Sequence, residues 1–257
     1  MVDIHSHILP GVDDGADVMT EALDMARLAV SGGTKAMVVT PHCNIPHMFD
    51  NYFDEKLSDK FNEFKKALAD AEIPLRVYQG AEVFVTDDVV QLLSKGRLNT
   101  INNSRYMLVE FGFGEEPQYM EAMLGRIMTE GVVPVVAHPE RYYATFDYPE
   151  MIYNWIRMGC RIQINKGSLL GRFGREVEVG ARVLLGHKLV HCIASDAHAS
   201  WRRTPYLADV KEYVTDLYNS EYADVLLKYN PHRIIMDKDI RVYDAPRFPE
   251  VNIRSLL

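Results

Sequence analysis

Chemistry is most readily read from His5 and His7. They stand two apart in a stretch, residues 2–7, that reads as a short strand, so both imidazoles leave it on the same side. Pro10-Gly11 turns the chain, and Asp13-Asp14-Gly15 puts carboxylates in the following loop. Two imidazoles and a carboxylate at one strand end are potential ligands for a divalent metal. Taken alone they fit a surface strand with chance histidines equally well. Six more residues with metal-competent side chains follow: His42, Glu82, Glu110, His138, Asp196 and His198. With Asp14 the set numbers nine: five His, two Asp and two Glu.

The elements that must position these residues alternate strand and helix. Strands are predicted at 2–7, 35–40, 75–81, 105–109, 132–137, 160–164 and 189–194. Helices are predicted at 19–30, 53–71, 87–93, 117–129, 149–158, 175–185, 207–218 and 222–229, from apolar residues three and four apart and from Gly or Pro stops. Residues 43–54 read as a polar and aromatic loop. Seven strands alternating with helices predict an α/β fold with a parallel sheet, either a closed TIM-like barrel or an open doubly wound sheet. The candidate ligands decide between them. Six of the seven strands end in a metal-competent residue, and Asn165 ends the other. An open sheet would spread these groups along an edge, whereas a barrel converges them on one mouth. Each has a duller reading in isolation, as a helix cap, a core histidine or a solvated glutamate; their shared position argues for a metal cluster.

Nine ligands exceed one ion and fit two or three, with a carboxylate shared between neighbours. Imidazole and carboxylate without thiolate suit Mn, Fe or Zn. Three divalent ions bring about +6 against the four carboxylates, a site that draws a phosphate dianion. Such ions acidify a bridging water to a hydroxide nucleophile and clamp the oxygens of a phosphoryl group. Arg141, three beyond His138, and Arg203, five beyond His198, sit on the same rim and are candidates to hold phosphate bidentately. Asp196, His198 and His42 are each able to protonate a leaving group. A cysteine-based phosphatase needs an arginine six places after its nucleophile, but Cys43, Cys160 and Cys192 are followed there by Phe49, Lys166 and His198. Cys43 reads as a small filler, His47, His187, His191 and His232 as structural or exposed, Trp155 as core, and Trp201 as core or substrate wall.

At 257 residues with 47% hydrophobic residues, the chain can bury a sizeable core. The net charge of −8 argues against nucleic acid or a membrane surface as partner. Three scattered cysteines indicate no disulfide framework. With no signal-peptide pattern and no membrane-length apolar run, the expected compartment is the cytoplasm. A single domain over 1–257 is expected, because no linker-like break appears.

The strings His5-Ser6-His7, Pro10-Gly11-Val12-Asp13-Asp14-Gly15, Thr40-Pro41-His42, Gly80-Ala81-Glu82, Glu110-Phe111, Ala137-His138-Pro139-Glu140-Arg141-Tyr142, Gln163-Ile164-Asn165 and Ser195-Asp196-Ala197-His198 resemble the polymerase and histidinol phosphatase (PHP) superfamily. More narrowly, with the stretch 168–174 and Asn230-Pro231, the chain resembles the bacterial manganese-dependent tyrosine phosphatases of capsule and exopolysaccharide loci. The resemblance runs over residues 1–236 and leaves the tail after Met236 unassigned. It implies a distorted (β/α)7 barrel holding three divalent ions, manganese first and iron or zinc otherwise, with the nine residues as ligands and Glu82 bridging two ions. It further implies that Arg141 and Arg203 bind phosphate, and that the substrate is phosphotyrosine on the tail of a cognate bacterial tyrosine kinase. The alternatives are a small-molecule phosphatase such as one for histidinol phosphate, and a catalytically silent metal-bound interaction module, which would be marked by missing ligands.

Overall fold

Among the described residues of the computed structural model, every pairing between strands β1 to β9 is parallel, as the alternation requires. The structure describes residues 1–243 and 252–256. One sheet has β1 (Val2–Asp3), β2 (Ala36–Val39) and β4 (Arg76–Gln79), in that order. The other runs β3 (His42–Cys43), β5 (Glu82–Phe84), β6 (Tyr106–Glu110), β7 (Val133–Ala137), β8 (Arg161–Asn165), β9 (Cys192–Ala194). The two sheets are joined along the chain. β2 passes into β3 across Thr40-Pro41, where proline has no N–H to give a ladder, and β4 passes into β5 across Gly80-Ala81. Gly80 is required by close approach: a Cβ there would stand 2.8 Å from Val38 Cγ1.

Counted this way the strands are the seven expected, and the ring closes at its mouth. Ser6 and Ala197 form a parallel bridge, with the His7 N–H donating to Ala197 O at 2.9 Å and the Asp196 N–H to His5 O at 2.9 Å. On the other side of Ser6, its carbonyl accepts the Thr40 N–H at 2.9 Å. At the opposite end the ring is distorted. Among the described residues β4 pairs only with β2, and the 3₁₀ turn Ile101–Asn103 packs between β4 and β6.

Alternation along the strands sorts side chains into two layers. Met107, Val109, Val136, Ile162, Ile164 and Ile193 face the outer helices, in one core with Trp155. Tyr106, Leu108, Val135, Ala137, Cys192 and Ala194 fill the interior with Ile4 and Val38. Helices α1 (Met19–Ser31) and α2 (Glu55–Asp70) cover β2 with Met25, Ala26, Phe61 and Phe64. The Asp54 carboxylate starts α2 by accepting the Leu57 N–H at 2.8 Å. The remaining outer helices are α3 (Val89–Ser94), α4 (Pro117–Thr129), α5 (Tyr143–Asp147), α6 (Glu150–Met158), α7 (Lys166–Leu169), α8 (Arg175–Gly186), α9 (Ala208–Leu217), α10 (Ser220–Asp224) and α11 (Asn230–Ile235).

Several boundaries differ from the sequence reading. The expected strand 2–7 is regular only over Val2–Asp3, because His5 to His7 bend to bridge both neighbours. The expected strand 75–81 splits at Gly80, and β9 begins three residues later than expected. The expected helix 222–229 is α10 followed by a π turn, Val225–Tyr229. Helices α5 and α7 are too short to show a periodicity. The tail beyond Met236 was assigned no role. Two parts of it are described: residues 237–243, where the Arg241 N–H donates to Asn230 Oδ1 at 2.8 Å, and the 3₁₀ turn Ile253–Leu256, which buries Ile253 and places the Arg254 guanidinium 3.5 Å from Asp147. Residues 244–251 and 257 lie outside the described residues.

Candidate metal centre

The interior layer leads directly into the site. Tyr106 and Leu108 are followed at the same parity by Glu110; Cys192 and Ala194 by Asp196; Ala36 and Val38 by Thr40 and then His42. Past the last apolar layer, the barrel interior therefore becomes carboxylate and imidazole. Gly15 admits the first loop: a Cβ there would stand 1.9 Å from His7 O, so only glycine lets Asp13 and Asp14 fold down over His7. His138 (φ 36°) and Asp196 (φ 50°) both hold left-handed backbone, a strain on the order of 1–2 kcal/mol each that the surrounding contacts must hold in place.

All nine predicted residues converge. His5, His7 and Asp196 form one group of mutually close donors; Glu82 joins His5 and His138 in a second; His42, Glu82 and Glu110 form a third; His7, Asp14, His42 and His198 form a fourth. Glu82 is central. Its Oε1 lies 3.1 Å from His5 Nε2 and 2.9 Å from His138 Nε2, and its Oε2 lies 3.2 Å from His7 Nε2 and 3.1 Å from His42 Nδ1. Asp14 Oδ1 lies 3.4 Å from both His42 Nε2 and His198 Nε2. Asp196 Oδ1 stands 3.4 Å from His5 Nε2 and 3.3 Å from His7 Nε2.

These separations test the fit to metal. Donor atoms around one ion at about 2.1 Å stand about 3 to 3.4 Å apart, the spacing found here. Glu82 Oε2 and His198 Nε2 are also buried without a hydrogen-bond partner among the described residues, although other site groups lie close by. Donors crowded together but left unbonded are what an ion between them would satisfy. The nine residues fit divalent metal.

The electrostatics agree. Burial pulls His42 down, but Glu82 and Glu110 override it and hold its pKa up at about 10 in the metal-free chain. Burial likewise opposes the charged forms of His7, Glu82 and Asp196. Asp13 nevertheless holds His7 well above the usual histidine range. His5 and His42 hold Glu82 well below the carboxylate range, and His5 with Arg203 does the same for Asp196. Asp14 is depressed chiefly by the His198 imidazole beside it.

Three orienting groups received no role in the sequence reading. Asp13 Oδ2 accepts from His7 Nδ1 at 2.8 Å and from the His42 N–H at 3.0 Å. Gln163 Oε1 lies 2.8 Å from His5 Nδ1, which must donate. Both contacts place the proton on Nδ1 and turn the Nε2 lone pair toward the centre. Glu140 is buried; its Oε1 accepts the Asn165 N–H at 2.9 Å and the Ser168 hydroxyl at 2.6 Å, fixing the start of α7. Their quoted motifs contained these residues, but motif spacing does not say which carboxylate faces the centre and which stands behind it.

The two rim arginines meet on one oxygen. Arg203 pairs with Asp196 Oδ2, and Arg141 Nη1 lies 3.7 Å from the same atom. The Arg141 guanidinium is held between the rings of Phe113, at 4.5 Å, and Phe173, at 4.6 Å. Trp155 is buried as expected, Cys43 is a buried filler, and Trp201 stands exposed at the rim. His191 is a buried structural histidine.

A parallel α/β ring with a cluster of His and carboxylate groups at its mouth that could hold metal is the class of protein that fold and site define. A solved histidinol phosphate phosphatase from Lactococcus lactis shares that fold, with a TM-score of 0.56 at 11% identity, covering 88% of this chain and 94% of that one. The family model for capsular polysaccharide synthesis, CpsB/CapC, matches residues 1–236. The chain is 36% identical to the tyrosine-protein phosphatase YwqE of Bacillus subtilis, over 89% of this chain and 92% of that protein. Its fold matches a chain from the crystal structures of YwqE from Bacillus subtilis and CpsB from Streptococcus pneumoniae, unique metal-dependent tyrosine phosphatases. That match has a TM-score of 0.89 and 31% identity, covering 96% of this chain and 99% of that one. The chain belongs to the CpsB/CapC family. No helix among the described residues is long and apolar enough to cross a membrane.

Proposed function

We propose that this chain is a metal-dependent protein-tyrosine phosphatase. The single observation that supports this most is the complete nine-residue donor set, flanked by two guanidiniums, in a member of a family whose named relatives are tyrosine phosphatases. His5, His7, Asp14, His42, Glu82, Glu110, His138, Asp196 and His198 would hold three divalent ions, manganese first, with Glu82 shared between neighbours. Ions bound there supply an acidified water nucleophile and Lewis-acid contacts to the phosphoryl oxygens.

The chain's own residues do the rest. Asp13 and Gln163 keep the imidazoles of His7 and His5 in the ligating tautomer. Arg141, braced by two rings, and Arg203 leave Asp196 to take the phosphate oxygens, which carry more charge than the shared carboxylate. The substrate in this reading is phosphotyrosine on the tail of a bacterial tyrosine kinase, and the regulated output is capsule or exopolysaccharide synthesis.

The test is turnover of a phosphotyrosine peptide by purified, manganese-loaded protein, beside histidinol phosphate. Higher catalytic efficiency on the peptide is expected. The reading fails if the peptide is turned over no faster than by the His5→Ala/His7→Ala control.

A further inference from the structure

Next to the metal centre, and sharing Arg203 with it, lies a cavity of about 510 Å³, a ligand-sized space. Its walls include Lys166, Arg172, Phe173, Trp201 and Arg202. The charge here runs against the chain as a whole, which carries −8. Two of the cations are already engaged: Lys166 Nζ lies 3.1 Å from Asp209, and Arg203 is paired with Asp196. Arg172 and Arg202 are exposed and have no ion pair among the described residues.

Trp201 sharpens the picture. It is 75% exposed, more than any other large hydrophobic side chain among the described residues. Its ring lies 5.3 Å from the Arg202 guanidinium, so a cation and an aromatic face are offered together. Phe173 forms the partition. One ring lines this cavity and also stands 4.6 Å from the Arg141 guanidinium and 5.8 Å from that of Arg203. A group bound in the cavity is thereby one ring away from a phosphate held by the two rim arginines.

We propose that this cavity binds the peptide segment flanking the phosphotyrosine and selects acidic side chains in it, with Arg172 and Arg202 as the specificity-determining residues. The inference rests on the phosphatase reading above. The physical reason is direct. A phosphotyrosine on protein carries chain on both sides, rising about 3.3–3.6 Å per residue, so neighbouring side chains must lie within a few residues of the rim. Two guanidiniums without ion-pair partners donate bidentately to carboxylates, whereas a lysine there meets like charge. The exposed indole provides a face for an apolar or aromatic neighbour.

The experiment compares three substrates with manganese-loaded protein: a phosphotyrosine peptide with glutamates on both flanks, the same peptide with lysines, and p-nitrophenyl phosphate, which has no flanks. Wild type is expected to favour the acidic peptide over the basic one by about tenfold or more in kcat/KM, chiefly through KM, with the preference shrinking as salt rises. Arg172→Glu/Arg202→Glu, two exposed sites, should abolish or invert that preference while p-nitrophenyl phosphate turnover stays within about twofold. The inference is overturned if wild type treats the two peptides alike, or if the double variant loses peptide and p-nitrophenyl phosphate turnover in equal proportion. Fluorescence anisotropy of the labelled acidic peptide reads the cavity without turnover. Binding weakened by the double variant upholds the cavity even if no substrate is hydrolysed, which would instead sink the phosphatase reading; no binding sinks the cavity.

Discussion

The mouth of the barrel and the region just below β9 each enclose a histidine, His42 partly and His191 fully, with opposite results. At the mouth His42 faces Glu82 and Glu110, and its pKa is held up at about 10. Below β9, His191 meets no carboxylate among the described residues. Burial first, and then Arg161, push its pKa down to about 3. Its Nδ1 accepts the Ile162 N–H at 3.0 Å, and its carbonyl accepts from the Asn230 amide at 2.9 Å. Burial by itself therefore says nothing about ligation. The carboxylates around an imidazole separate a metal ligand from a core residue.

The strongest way to break this contrast is to empty the mouth. His5→Ala/His7→Ala, or chelation of the wild type, is expected to lower p-nitrophenyl phosphate hydrolysis by at least about a thousandfold, with manganese restoring only the chelated wild type. Elemental analysis of the same samples should show fewer ions per chain in the variant.

A smaller effect is expected at the rim. If the two arginines hold phosphate as proposed, Arg141→Ala or Arg203→Ala should each cost about a hundredfold in kcat/KM while bound metal is unchanged. Loss of metal from either variant would move that arginine into the structural support of the centre.

Behind the ligands, Asp13→Asn removes the charge that holds the His7 tautomer. It should weaken manganese affinity by about 10- to 100-fold in a metal titration. Proton counting probes the same region: with His42 near pKa 10, loading the metal-free protein near pH 8 should release about one proton from that residue, and affinity should rise with pH. Metal uptake without proton release would show that His42 does not ligate.

The mildest effect belongs to His191. His191→Ala should leave activity and metal content intact and cost about 1–3 kcal/mol of stability near pH 7, because the Ile162 N–H loses its acceptor. The sign of its pH dependence follows from the depressed pKa. The unfolded chain takes up a proton near pH 6.5 that the folded one refuses until about 3, so the residue's contribution is full above 6.5 and is lost as pH falls. The cost of the substitution should shrink by about 2 kcal/mol between pH 7 and pH 5 in denaturant melts of both proteins.

Much of the site was legible before any coordinates, because strand geometry is local. A two-residue spacing puts His5 and His7 on one side of the chain whatever surrounds them, and their Nε2 atoms do lie 3.2 Å apart. Strand ends could be read from apolar runs, so Glu110, His138 and Asp196 were found as candidates with their positions already ordered. Only the tertiary structure decided which groups face one another. Closure of the ring through Ser6 and Ala197 joins residues nearly two hundred positions apart, a pairing no local pattern carries. Tertiary contacts, not spacing, put Asp14 at the centre and Asp13 behind it, separate His42 from His191, and place Arg172 and Arg202 in the cavity that Arg203 also lines. Electrostatic environment is a sum over spatial neighbours, and the chain's order alone does not list them.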